Sequence, residues 1–214
     1  SELLSDLLWS IGVVAVEERE AVGDFVILRT SLGEDHSFTR DLVEDTFPNV
    51  TVSIARVERS VADTWRIHAA PTWINEQVVL CPAWVEAPNA EHVIRIEPAD
   101  TFGLGNHTTT VLALRLGLQY CEPNSRVFDF GCGSGVLAIA VAKILGCESF
   151  VFDIALSAQE VVRLNGELNG VHTTWRSDVR DLSGDLVFAN ILAPVLMAES
   201  DTIKDSIHES GMIV

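Results

Sequence analysis

Three glycines and two aspartates make up the part of this sequence best suited to bind a ligand. Gly131, Gly133 and Gly135 stand in the run Asp129-Phe-Gly-Cys-Gly-Ser-Gly135, and Asp153 follows Gly131 by 22 residues. Glycines let the backbone turn sharply and approach a ligand closely, and the first N–H groups of a following helix are free to donate. A carboxylate at the end of the next strand is suited to accept hydrogen bonds from ribose hydroxyls. These residues together predict a nucleoside-binding site.

The elements around the glycines must bring the loop and the acid to one edge of a sheet. Apolar runs predict four strands, at His92–Glu97, Arg126–Phe130, Phe150–Asp153 and Asp185–Ala189. Periodic apolar residues predict three helices, at Thr108–Tyr120, Val136–Leu145 and Ser157–Asn169. Strands that alternate with helices are typical of a parallel sheet covered on both faces. The predicted fold class is therefore α/β, with a doubly wound, Rossmann-like domain.

The spacing of the glycines distinguishes between nucleoside cofactors. Dinucleotide-binding loops have the pattern G-x-G-x-x-G, because a pyrophosphate sits on the helix end. Here the pattern is G-x-G-x-G, two residues after Asp129, which resembles the first motif of class I methyltransferases. Their ligand, S-adenosylmethionine, has no phosphate, and a nearby acid suits its amino and sulfonium charges. S-adenosylmethionine is the expected cofactor, and a nicotinamide-dependent dehydrogenase is the weaker alternative.

Further motifs resemble one methyltransferase family in particular. The run Phe102-Gly-Leu-Gly-Asn-His-Thr-Thr-Thr110 is similar to the F-G-T-G-x-H-P-T-T signature of the PrmA family, the bacterial methyltransferases of ribosomal protein L11. Other segments that resemble this family are Val79-Leu-Cys-Pro-Ala-Trp84, Asp129–Ala140, Asp153-Ile, Leu164–Val171 and Ala189-Asn-Ile-Leu192. The resemblance implies a ferredoxin-like substrate-recognition domain, a linker and a class I methyltransferase domain.

The resemblance also implies roles for individual residues. Thr110, Gly131, Asp153 and Asn190 would form the cofactor site, together with the rest of the loop (Asp129, Gly133 and Gly135). Asp153 would hold the ribose, and the side-chain carbonyl of Asn190 would hold the target nitrogen in line with the methyl group. Asp178 would face the adenine amino group or would simply be a solvated loop acid.

His107 allows two interpretations. It could take a proton from the target amine or help to shape the cofactor lid, and we therefore count it as a catalytic candidate with Asn190. A histidine in a polar turn before a helix more often makes a structural hydrogen bond. The threonines at 108–110 could cap the same helix. His172 and His208 have no partners at ligand spacing, so no metal site is predicted.

The first part of the sequence has the pattern of a small α+β domain. Helices are predicted at residues 2–9 and 37–47, and strands at Val13–Glu17, Phe25–Leu28 and Val50–Val57. The order α-β-β-α-β is that of a ferredoxin-like domain without its first strand. We predict three regions: a ferredoxin-like domain at 1–58, a connector at 59–97 with a strand at Gln77–Cys81, and the methyltransferase domain at 98–214. Since the sequence begins without Met and ends in a strand-like run at Ser210–Val214, we expect a trimmed piece of a longer protein.

Charge and composition restrict the partners. The 31 acidic and 14 basic residues give a net charge of −17, which disfavours direct nucleic-acid binding and favours a basic protein partner, although acidity could also serve only solubility. No stretch approaches the ~20 apolar residues that cross a bilayer, so no membrane association is expected. The four cysteines lack C-x-x-C spacing and predict reduced thiols in a cytoplasmic protein.

The predicted function is methylation of ribosomal protein L11, at lysine side chains, at the N-terminal amine or at both. A neutral amine would attack the sulfonium methyl group directly, so the protein would chiefly align the reactants. Two alternatives stay open: a methyltransferase for another protein or a small molecule, and a cofactor-binding module without catalysis.

Overall fold

The computed structural model describes residues 2–10, 13, 16–20, 26–30, 37–54, 63–98, 104–179 and 182–214. The chain divides into two compact units, residues 1–63 and 64–214.

The first unit contains two helices and a two-stranded antiparallel sheet. Its elements are α1 (Glu2–Ser10), β1 (Val16–Glu20), β2 (Val26–Thr30) and α2 (Ser37–Thr46). A small apolar cluster around Leu8, Val13 and Val43 joins the helices and strands of this unit. The predicted order α-β-β-α is confirmed.

The predicted strand at Val50–Val57 is wrong for residues 50–54, where no strand forms. The backbone of Val52 is bonded to side chains of α2 instead of to a neighbouring strand. Its N–H donates to Glu44 Oε1 (3.2 Å), and its carbonyl accepts from Arg40 Nη2 (2.9 Å). Residues 55–57 lie outside the described residues, and the ferredoxin-like arrangement of this unit stays a prediction.

The second unit begins within a 3₁₀ helix, and a small mixed sheet follows. The 3₁₀ helix spans Asp63–His68, and the strands are β3 (Thr72–Trp73), β4 (Val78–Pro82) and β5 (His92–Ile96). The order is β3-β4-β5, with the first pair antiparallel and the second parallel. All five residues of β4 are buried, so the segment predicted as a connector contributes apolar core to this unit. The division of the chain into three regions remains a prediction.

A five-stranded parallel sheet forms the rest of the unit, in the order β10-β9-β6-β7-β8. The strands are β6 (Arg126–Phe130), β7 (Glu148–Phe152), β8 (Thr173–Trp175), β9 (Gly184–Phe188) and β10 (Ile207–Ile213). The helices are α3 (Thr108–Tyr120), α4 (Val136–Leu145), α5 (Ser157–Asn169), α6 (Ala193–Ala198) and α7 (Ser200–Asp205). The predicted α/β class and parallel, Rossmann-like sheet are confirmed.

The sequence of α4 explains why this helix is central. Residues 136–141 are all buried, so the helix is apolar on every side in its first turns. Gly135 precedes it and Gly146 follows it, and both have left-handed backbone angles, with φ of +78° and +71°. Such angles favour glycine and end a helix sharply. The two glycines therefore fix where α4 begins and ends, between the loop and β7.

Two helices after β9 were not predicted from the sequence. Helix α6 has only six residues, and all of them are apolar, so its sequence lacks the alternation of apolar and polar residues that identifies a helix. The strand expected at Ser210–Val214 is observed as β10, which begins earlier, at Ile207. Among the described residues, no helix is long and apolar enough to cross a membrane.

Candidate cofactor site

The glycine loop lies where three parallel strands end at the same edge of the sheet. In the sheet register, Phe130 of β6 pairs with Phe152 of β7, and Asp129 pairs with Phe188 of β9. Residues that directly follow these strands are therefore brought close to one another. This edge receives the loop after β6, the acid Asp153 after β7 and Asn190 after β9.

Backbone hydrogen bonds hold the loop against β7. The N–H groups of Gly131 and Cys132 both donate to the carbonyl oxygen of Phe152, at 2.8 and 3.0 Å. Gly131, Gly133 and Gly135 have positive φ angles of +73°, +54° and +78°. Three residues with left-handed backbone angles within five positions require glycine, because a residue with a Cβ atom is strained at these angles.

Gly131 is also required by packing. A Cβ atom there would lie 2.3 Å from Cγ2 of Ile191, which real Cβ atoms do not tolerate. Ile191 directly follows Asn190, so the loop packs against the segment that carries this amide. The sequence did not indicate this contact, because the two residues come from different loops.

Asp153 is hydrogen-bonded to the glycine loop. Its Oδ2 atom accepts the N–H of Gly133 at 2.8 Å, and its Oδ1 atom accepts the N–H of Ala155 at 2.8 Å. The side chain is half-buried at the end of β7. Each carboxylate oxygen has further acceptor capacity, so the acid can accept bonds from a ligand hydroxyl as well.

Asp129 lies beneath the loop and is almost completely buried, with 2% of its surface exposed. Its Oδ2 atom accepts the N–H of Ala138 in the first turn of α4, at 3.2 Å. Burial raises the pKa of Asp129 to about 7; the bond from Ala138 lowers it, and the negative charge of Asp153 raises it further. The structure therefore places this carboxyl where it binds the start of α4.

Thr110 and Asn190, which are 80 residues apart in the sequence, are in direct contact. Nδ2 of Asn190 donates to Oγ1 of Thr110 at 3.1 Å. Thr110 is buried in the first turn of α3, and Asn190 is half-buried after β9. No described residue donates to the side-chain carbonyl oxygen of Asn190. The amide is thus oriented by Thr110 on its nitrogen side and open on its oxygen side.

His107 is the N-cap residue of α3. Its Nδ1 atom accepts the N–H of Thr109 at 3.3 Å and lies 2.8 Å from Oγ1 of the same residue. The imidazole ring is exposed. The cap is therefore supplied by His107 and not by the threonines that follow it. Asp178 is half-buried in the loop after β8, and its role toward the adenine stays a prediction.

The described residues contain no group of three or more histidine, cysteine or acidic side chains arranged to hold a metal ion. The four cysteines are free thiols and are buried.

The parallel sheet, the glycine loop and the acid bonded to it define a Rossmann-like, S-adenosylmethionine-dependent class I methyltransferase. Comparison with known proteins identifies the family within this class. The family model described as ribosomal protein L11 methyltransferase (PrmA) matches residues 34–214, and this chain belongs to that family.

Relatives of this chain support the assignment to the family. The ribosomal protein L11 methyltransferase of Clostridium botulinum (strain Eklund 17B / Type B) is 29% identical, over 97% of this chain and 72% of the relative. That of Bacillus pumilus is 31% identical, over 92% of this chain and 62% of the relative. The crystal structure of a ribosomal protein L11 methylase from Lactobacillus delbrueckii subsp. bulgaricus matches with a TM-score of 0.60 and 30% identity, over 68% of this chain and 78% of that one. The chain thus spans between 62% and 78% of the length of these relatives.

Proposed function

We propose that this chain methylates ribosomal protein L11, on lysine side chains, on the N-terminal amine or on both, with S-adenosylmethionine as the methyl donor. The observation that carries the proposal is the pair Thr110 and Asn190 at the edge of the sheet where the glycine loop and Asp153 also lie. The family membership and the names of the relatives support this substrate.

The residues at this edge fit the cofactor chemically. S-adenosylmethionine supplies a methyl group on a positively charged sulfur, and it carries ribose hydroxyls and an amino group. Asp153 would accept hydrogen bonds from the hydroxyls, and the side-chain-free backbone at Gly131 and Gly133 would allow close approach. The carboxyl of Asp129, behind the loop, would add negative charge near the positive groups when it is ionised.

Asn190 would orient the nucleophile. A lysine ε-amine has an ordinary pKa of ~10.4 and must lose its proton before it can attack. The open side-chain carbonyl of Asn190 would accept one N–H of the neutral amine and so direct the nitrogen lone pair. Since the opposite end of the amide is held by Thr110, its orientation is fixed before the substrate binds.

The net charge of −17 supports a basic protein as the substrate, because long-range attraction increases the rate of association. The four free thiols support a cytoplasmic location. The acidic surface also speaks against direct binding to nucleic acid.

The role of Asn190 is tested by Asn190→Ala and Thr110→Val. Asn190→Ala should lower kcat by about 100-fold, because the amine loses its alignment, while the Kd for S-adenosylmethionine changes little. Thr110→Val should lower kcat less, because it removes the partner of the amide and keeps the amide itself. Gln119→Ala, at an exposed amide near the far end of α3, is the matched control and should behave as wild type. Steady-state kinetics and calorimetric binding measure both quantities.

The outcomes separate the competing functions. Equal losses of binding and turnover in Asn190→Ala would make this residue a cofactor ligand and not a substrate-positioning group. Turnover of a substrate other than L11 would favour the alternative methyltransferase activity. Cofactor binding with no turnover of any ribosomal protein would favour a binding module without catalysis.

A further inference from the structure

Two asparagine side chains on α5 bind the free edge of β5 as a neighbouring strand would. Asn169 accepts the N–H of Arg95 (2.9 Å) and donates to its carbonyl (2.7 Å). Asn165 accepts the N–H of Glu97 (2.9 Å) and donates to its carbonyl (3.0 Å). Side chains four residues apart lie on the same face of a helix, and alternate residues of a strand point their backbone groups to the same edge. The spacing of the two asparagines on the helix therefore matches the spacing of Arg95 and Glu97 along this edge. The two side-chain amides take the hydrogen bonds that a neighbouring strand would otherwise make.

The two asparagines differ in their third bond. Nδ2 of Asn165 also donates to the carbonyl oxygen of Ser134, at 2.9 Å, inside the glycine loop. Nδ2 of Asn169 instead donates to the carbonyl oxygen of Asn165, at 2.8 Å, in its own helix. Among the described residues, Asn169 makes no bond to the loop. Asn165 and Ser134 are both fully buried, with 0% of their surface exposed.

The bond from Asn165 to Ser134 holds a different part of the loop from the bonds to Phe152 and Asp153. Gly131, Cys132 and Gly133 are held through their N–H groups, by Phe152 and Asp153. Ser134 is held through its carbonyl, directly before the left-handed Gly135. A hydrogen bond on this carbonyl sets the plane of the peptide that leads into α4.

Glu97, which Asn165 binds through its backbone, is itself held by other side chains. The carboxylate of Glu97 makes two bonds to Arg66, at 2.8 and 2.7 Å, and the Arg66 guanidinium lies 3.6 Å from the centre of the Trp84 ring. Bidentate pairs of this kind are geometrically specific. Asn165 therefore connects the loop to an anchored part of the small sheet.

We propose that Asn165 is a positioning residue for the cofactor site, which acts through the carbonyl of Ser134 and not by contact with the cofactor. This inference rests on the proposed function, because it assumes that the loop binds S-adenosylmethionine. Loss of the side chain would remove these bonds from the buried carbonyl of Ser134 and from both backbone groups of Glu97. The peptide before Gly135 would then reorient, and the affinity for the cofactor would fall.

Asn169→Ala is the matched control for Asn165→Ala. Each variant removes an amide of the same size, two bonds to the backbone of Arg95 or Glu97 and one bond to a helix or loop carbonyl. Asn169→Ala also removes the bond from Lys143 Nζ (3.3 Å), so it is the more disruptive variant by number of bonds. We expect both variants to lower the midpoint of thermal unfolding. Asn165→Ala should weaken binding of S-adenosylmethionine by about tenfold or more and raise KM for this cofactor, with KM for L11 unchanged. Asn169→Ala should change the Kd by less than about threefold. Isothermal titration calorimetry well below the unfolding midpoint measures the Kd.

Equal losses of affinity in the two variants, or an unchanged affinity in Asn165→Ala, would overturn the proposal. If either alanine variant fails to fold, the pair Asn165→Asp and Asn169→Asp replaces it. Each aspartate keeps the acceptor for the β5 N–H and removes the donor, and the same difference in affinity is expected. Failure of the wild-type chain to bind S-adenosylmethionine would be a different result, since it would contradict the proposed function itself.

Discussion

The burial of Asp129 predicts how the stability of the fold depends on pH. Its pKa of about 7 in the folded chain lies about 3 units above the ordinary value of 3.8. Between pH 4 and 7 the folded state therefore binds one proton more than the unfolded state, so the free energy of unfolding falls as the pH rises. At about 1.36 kcal/mol per unit, the loss amounts to about 4 kcal/mol and is complete above pH 7.

Asp129→Asn removes this titration. The asparagine keeps an oxygen that can accept the N–H of Ala138, and any cost of burying its NH₂ group does not depend on pH. The stability of the variant relative to wild type should therefore rise by about 3 kcal/mol between pH 5 and 7 and then stay constant up to pH 8. Urea unfolding at each pH measures the difference, which cancels the contribution of all other groups.

Asp201→Asn is the control for this experiment. The Asp201 side chain is 95% exposed on α7, so its replacement should change stability by less than about 0.5 kcal/mol at every pH. A constant difference between Asp129→Asn and wild type from pH 5 to 8 would refute the reasoning, because it would mean that the buried carboxyl does not retain its proton in this range.

Two other substitutions test the loop and the cap. Gly131→Ala should destabilise the fold by about 1–3 kcal/mol and weaken cofactor binding, because the new Cβ meets Ile191; unchanged unfolding and binding curves would contradict the packing described. His107→Asn should retain the cap and the activity, whereas His107→Ala should cost about 1 kcal/mol of stability. A large loss of kcat in His107→Asn would instead indicate the role of a base.

The central elements could be predicted from the sequence because their limits are set locally. The bounds of α3, α4, α5 and β6 agree with the predicted ones. Apolar periodicity defines these elements, and glycines such as Gly146 and Gly170 end the helices with left-handed angles. Such signals depend on neighbours in the sequence and need no knowledge of the fold.

The features that could not be predicted from the sequence depend on contacts between distant segments. The parallel pairing of β4 with β5 and the contact of Asn190 with Thr110 have no local signal. The segment at 50–54 has strand-like residues, but α2 side chains take the bonds of Val52. The spacing of Asn165 and Asn169 does predict that they share a helix face, but not that this face meets a strand edge.

The candidate site residues could be selected from the sequence, but their arrangement could not. The glycine pattern and the acid 22 residues later indicated the loop and Asp153, which the structure joins by a hydrogen bond. The contact of Asp129 with α4 emerges only from the geometry, whereas a structural hydrogen bond by His107 was one of the two interpretations that the sequence allowed. The roles of these residues in binding and catalysis stay predictions until variants are measured.

Methyl transfer itself is the most direct test of the proposed function. The chain is incubated with labelled S-adenosylmethionine and unmethylated ribosomal proteins, and the label is located by intact-mass spectrometry. We predict label on L11 alone, in whole multiples of one methyl group, and labelling about 100-fold slower with Asn190→Ala under the same conditions. Label on other proteins only, or no label although S-adenosylmethionine binds, would contradict the proposed activity.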